Sequence, residues 1–80
     1  MKNNIHRETR DRIIRKRREK GITQEELGLE IHKSQAWIAQ IENGKRHANV
    51  ENLNAIATAL ECNFSDLLPE QPIPMENNNE

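Results

Sequence analysis

Eighty residues with 34% apolar content suffice for one small domain with a thin core, which nearly every Ile and Leu is needed to fill. One cysteine, Cys62, excludes an intrachain disulfide, and His6, His32, His47 and Cys62 show no metal-ligand spacing, so neither metal nor other cofactor is expected. The net charge of −1 hides a division: all 12 Lys and Arg lie in residues 1–46 beside seven acids (+5), whereas residues 47–80 hold six acids and no Lys or Arg (−6).

Residues 6–20, HRETRDRIIRKRREK, contain no Gly or Pro and are rich in helix formers. Glu8 with Arg12, and Asp11 with Arg15, are acid-before-base pairs at i, i+4. Only Ile13 and Ile14 are strongly apolar, so the helix docks through a narrow stripe of Ile13, Arg17 and the methyl of Thr9. The run Arg15-Lys16-Arg17-Arg18 reads by default as a solvated face. Gly21 ends the helix and Ile22 is expected to enter the core.

Thr23 begins a second helix, with Glu26 three residues on to complete a capping box, and Leu27 and Ile31 mark its buried face. The turn reads His32-Lys33-Ser34, and His tolerates the left-handed region better than most non-glycine residues. Ser34 caps a third helix that buries Ile38 and Ile41 and closes at Asn43-Gly44. Two short helices joined by a tight turn form a helix-turn-helix. Gln35, Ala36, Trp37, Ala39 and Gln40 are left facing outward, flanked by Lys33, Lys45 and Arg46. Amides read base edges and marginal cations hold phosphates, so this surface points to sequence-specific binding of double-stranded DNA. Trp37 has two open readings: a partly buried anchor against the second helix or loop, or a ring laid on the sugar-phosphate backbone.

After the polar loop 45–49, Asn49 caps a fourth helix whose core face is Val50, Leu53, Ile56, Ala57 and Leu60. Cys62 reads as a small buried filler at its end. Asn63 caps a short last helix carrying Phe64, Leu67 and Leu68, and Pro69, Pro72 and Pro74 stop it. The expected organisation is a DNA-binding domain over 1–68 and a disordered, acidic, Pro/Asn-rich tail over 69–80. No segment approaches a membrane span and the N-terminus has no signal-peptide pattern, so a cytoplasmic protein with no membrane partner is expected.

The run Thr23-Gln24-Glu25-Glu26-Leu27, then Ser34-Gln35, Ile38 and Ile41-Glu42-Asn43-Gly44-Lys45-Arg46, resembles the Cro/cI-type, or XRE, helix-turn-helix family. That family includes lambdoid phage repressors and restriction-modification controller proteins. The resemblance covers roughly Ile13 to Leu68, including Ala57, Leu60 and Leu67-Leu68, and implies an all-α, five-helix, lambda-repressor-like domain. It further implies base reading by Gln35, Ala36, Ala39 and Gln40. Gln24, which braces the first reading residue, would contact the DNA backbone with Ser34, Asn43, Lys45 and Arg46; Trp37 joins them on its second reading. Arg17 and Glu42 match a semi-buried ion pair joining the first and third helices, a structural role. The chain departs from the family at Gly28, where Ala is usual, at His32-Lys33, where Gly and an apolar residue are common, and at Ala48, which replaces a frequent Pro.

The leading expectation is therefore a bacterial or phage transcriptional regulator, a repressor by preference, nucleoid-associated when bound. It would bind a two-fold symmetric operator as a homodimer, with helix 34–43 in the major groove. The alternative is a partner-controlled interaction module such as an antitoxin, whose acidic tail (Glu70, Glu76, Glu80) engages a toxin or other protein antagonist. An enzyme is not expected: the sequence offers no nucleophile–base pair and no phosphate-binding glycine loop, and its polar groups sit on a helix surface.

Overall fold

The computed structural model describes residues 5–69. They form four α-helices and one 3-10 turn: α1 (Ile5–Lys20), α2 (Gln24–Glu30), α3 (Gln35–Asn43), α4 (Val50–Ala59) and the turn Phe64–Leu67. No strand occurs among the described residues. The all-α expectation holds, with one correction: the fifth helix is a single 3-10 turn. Only four residues separate Asn63 from Leu68, and Leu68 precedes Pro69, whose ring pushes it to extended backbone (φ −92°, ψ 149°) before an α-turn can repeat. Asn63 is the N-cap of this turn, as expected, and its N–H donates to Asp66 Oδ2 at 2.9 Å. The expected tail beyond Pro69 lies outside the described residues, and Pro69 itself is buried.

Local hydrogen bonds set the helix ends. At α2, Thr23 Oγ1 accepts from Glu26 N–H (3.0 Å) while Thr23 N–H donates to Glu26 Oε1 (2.8 Å). Ser34 Oγ accepts from Trp37 N–H (3.0 Å) at α3, and Asn49 Oδ1 from Asn52 N–H (2.7 Å) at α4. Each satisfies a backbone donor that the first helical turn leaves open, worth about 1 kcal/mol apiece. His32 takes the left-handed conformation (φ 63°), which turns the chain between α2 and α3. Gly44 does the same at the end of α3 (φ 87°), where Lys45 N–H and Arg46 N–H both return to Gln40 O.

The core gathers Ile13 of α1, Leu27 of α2, Ile38 and Ile41 of α3, Leu53, Ile56, Ala57 and Leu60 around α4, and Leu67 of the 3-10 turn. From α1 it receives the narrow stripe, Thr9 and Ile13, with Arg17 continuing it toward α3. Ile22, Ile31, Trp37, Cys62, Phe64 and Leu68 pack around its edge. Val50 departs from its expected place and is 64% exposed. It is the first residue of α4 and lies at the margin of the Leu53–Ala57–Leu60 stripe, where the 100° helical step carries it off the core face. Glu8–Arg12 and Asp11–Arg15 do not close as ion pairs, whereas Arg17–Glu42 and Lys20–Glu61 do. Glu8, Asp11 and Arg15 are exposed, where an i, i+4 pair gains little over hydration, while Arg12 is half-buried with its Nε shielded from solvent and unpaired.

Candidate nucleic-acid interface

Arg17 crosses from α1 to α3 and meets Glu42 side-on: its Nε donates to Oε2 (2.6 Å) and its Nη2 to Oε1 (3.0 Å). The third guanidinium nitrogen, Nη1, donates to Ile22 O at 2.9 Å. The two side chains keep 11% and 6% of their exposure, so the pair is nearly dry. Hydrogen bonding to Glu42 raises the Arg17 pKa against the opposing cost of burial, which keeps the charge fixed at any physiological pH.

From Glu42 the bonding continues to the surface. Gln24 Nε2 donates to Glu42 Oε1 (2.9 Å), and Gln35 Nε2 donates to Gln24 Oε1 (2.7 Å). A charge pair in the core is thereby linked through half-buried Gln24 to the exposed amide of Gln35, the first residue of α3. Ala36 is exposed beside it, while Ala39 and Gln40 are half-buried one turn later. Gln40 has its own partner, since Arg46 Nε donates to Gln40 Oε1 at 3.0 Å.

Trp37 is half-buried and packs against the core, while Lys33 Nζ sits 5.0 Å from its ring centroid and the Arg46 guanidinium 5.9 Å. The indole thus anchors α3 and holds one cation from each flanking segment. Ser34 is exposed with its Oγ occupied as the cap of α3, and Asn43 Oδ1 accepts from Lys45 N–H (2.9 Å), shaping the turn that presents Lys45. The loop after α3 is tied back to α1 by stacked His6 and His47 rings, 3.7 Å apart and 4° from parallel.

The residues singled out from sequence thus fall into two connected groups and a margin. Arg17, Glu42, Gln24 and Gln35 form one chain; Gln40, Arg46 and Trp37 form another; Ser34, Asn43 and Lys45 lie at the ends of α3. Sequence reasoning did not find the Gln24–Glu42 and Arg46–Gln40 bonds or the His6–His47 stack. The partners are 18, 6 and 41 residues apart, beyond any helical or turn spacing that would have flagged them.

Comparison with known proteins identifies the family and the fold. The helix-turn-helix family HTH_3 matches residues 13–67. The chain belongs to that family. Its members, of the XRE type, are DNA-binding regulators of transcription. A relative in Sinorhizobium fredii (strain NBRC 101917 / NGR234), the uncharacterized HTH-type transcriptional regulator y4dJ, is 39% identical over 56 residues, or 70% of this chain and 73% of the relative. The crystal structure of the restriction-modification controller protein C.AhdI from Aeromonas hydrophila superposes with a TM-score of 0.71 at 27% identity, over 74% of this chain and 86% of the other. No described helix of this HTH_3 protein is long and apolar enough to cross a membrane.

Proposed function

We propose that this HTH_3 protein is a cytoplasmic repressor that binds a two-fold symmetric operator as a homodimer, with α3 in the major groove. Gln35, Ala36, Ala39 and Gln40 face the base edges. Gln24, Ser34, Trp37, Asn43, Lys45 and Arg46 hold the two phosphate backbones. The observation that carries this reading is the bonded chain Arg17–Glu42–Gln24–Gln35, which spends a buried ion pair on holding one exposed amide. An amide that served only solubility would gain nothing from such bracing; one that matches a base edge gains the ordering entropy in advance.

A domain this small buries too little DNA for high specificity alone, and two copies on half-sites one helical turn apart supply the missing contacts. Repression then needs only occupancy of a promoter. Backbone contacts by Lys45 and Arg46 on each copy make affinity fall steeply with salt.

The test is selection of bound duplexes from a random DNA pool at roughly physiological salt. The expected result is a palindromic motif with half-site centres about 10 base pairs apart. Salt-sensitive retention without an enriched motif would refute specific reading and favour a module governed by a protein partner.

A further inference from the structure

The hydrogen-bond chain does more than immobilise Gln35; it determines which end of the amide faces outward. A carboxylate only accepts hydrogen bonds and a guanidinium only donates them. Glu42 Oε1 therefore requires the NH2 end of Gln24, at 2.9 Å. That leaves Gln24 with its carbonyl oxygen toward Gln35, which must answer with its own NH2, at 2.7 Å. Gln35 is left with a free carbonyl oxygen and one free N–H. On the far side of α3 the sequence of constraints starts from a cation. The Arg46 Nε claims the carbonyl oxygen of Gln40 at 3.0 Å, so Gln40 turns its NH2 outward.

We infer that Glu42 and Arg46 are positioning residues that encode opposite amide polarities in the reading surface, so that Gln35 selects adenine and Gln40 selects an acceptor-only edge, guanine foremost. Adenine offers an N6 donor and the N7 acceptor, which complement the free carbonyl and N–H of Gln35. Guanine offers two acceptors, O6 and N7, which complement the two N–H groups of Gln40. This inference rests on the proposed reading of DNA by α3 and adds to it the identity of the base edges. Glu42 never touches the DNA: its influence passes through Gln24.

The experiment uses the same duplex selection with the full chain and five variants, each checked for native helicity by circular dichroism. Gln35→Ala and Gln40→Ala first identify which motif position each glutamine reads. Glu42→Gln keeps an acceptor for Arg17 but allows the relay to invert, so that Gln35 turns its NH2 outward. At the Gln35 position, preference is then expected to move from adenine toward guanine by about fivefold or more. Gln24→Ala, which leaves the ion pair untouched, is expected to flatten the same position by a similar factor whether or not Glu42→Gln folds. Arg46→Ala is expected to flatten the Gln40 position while lowering affinity for all DNA. A wild-type motif whose ranking at the Gln35 position is unchanged in Gln24→Ala, or whose Gln35 position prefers a base other than adenine, would overturn the inference and leave DNA reading intact. Absence of any wild-type motif would overturn the DNA reading itself.

Discussion

Replacing Gly28 with alanine sets two effects of opposite sign against each other. Within α2, alanine is about 1 kcal/mol better than glycine in intrinsic helix propensity, and alanine is the usual family residue here. In this structure an alanine Cβ would lie 2.5 Å from Lys33 O and 3.2 Å from both C and O of Ser34, where ordinary contact begins at 3.4 Å. All three are backbone atoms and none has room to swing away. Lys33 N–H is bonded to Gly28 O at 2.8 Å, and Ser34 is committed to capping α3. Relief requires α3 to move off α2 and disturbs the contact of Leu27 with its neighbours in the core. Overpacking of this kind costs about 1–3 kcal/mol, and a backbone clash places it in the upper half, so the net loss is about 1–2 kcal/mol. For a domain of this size that lowers Tm by roughly 4–8 °C per kcal/mol. Thermal and urea unfolding, followed by circular dichroism and Trp37 fluorescence, measure it. A Gly28→Ala protein more stable than the parent would refute the reasoning, because the turn would then be shown to relax freely.

Three further outcomes are expected. Arg17→Met strands the Glu42 carboxylate, only 8% of whose residue is exposed, with Gln24 as its remaining side-chain donor, and costs about 3 kcal/mol. The double variant Arg17→Met/Glu42→Leu recovers most of that in urea unfolding; a single-variant loss below about 1 kcal/mol would show the pair to be energetically idle. His32→Gly relieves a left-handed non-glycine residue (φ 63°) and, after the added freedom of the unfolded chain, raises stability by about 0.5 kcal/mol; a lowered urea midpoint would contradict this. Burial, with a smaller contribution from Asp66, raises the Cys62 thiol above its ordinary range despite the opposing Lys16. The folded state then holds its proton more tightly than the unfolded chain, so Cys62 makes stability fall as pH rises above the ordinary thiol pKa and adds no dependence below it. Urea midpoints across neutral to alkaline pH check the sign, and Cys62→Ala removes that component.

Much of the architecture was legible because its causes are short-range. Thr23–Glu26, Ser34–Trp37 and Asn49–Asn52 are bonds between residues three apart, and Gly44 and His32 supply conformations that depend on their own backbone. The apolar spacing Ile38–Ile41 likewise named its buried face. Val50 obeyed the same spacing and stayed in solvent, because whether the margin of a stripe is covered depends on what packs there. The last helix failed for a related reason. Its apolar residues are real, but Leu67 reaches the core from a 3-10 turn in the short span before Pro69.

The same division runs through the reading surface. By itself the sequence determined that α3 is a capped, outward helix bearing two glutamines, with cations on either side: local hydrogen bonds and periodicity are written in adjacent residues. At Gly28 the resemblance showed only a small residue in place of the usual Ala; the closeness of the Lys33 and Ser34 backbone is what excludes even a single Cβ there. The orientation of each glutamine was decided by the tertiary structure alone. An amide has a donor end and an acceptor end of nearly equal size, and nothing in its neighbours along the chain selects between them. Folding selects by bringing a carboxylate, through Gln24, to one and a guanidinium to the other.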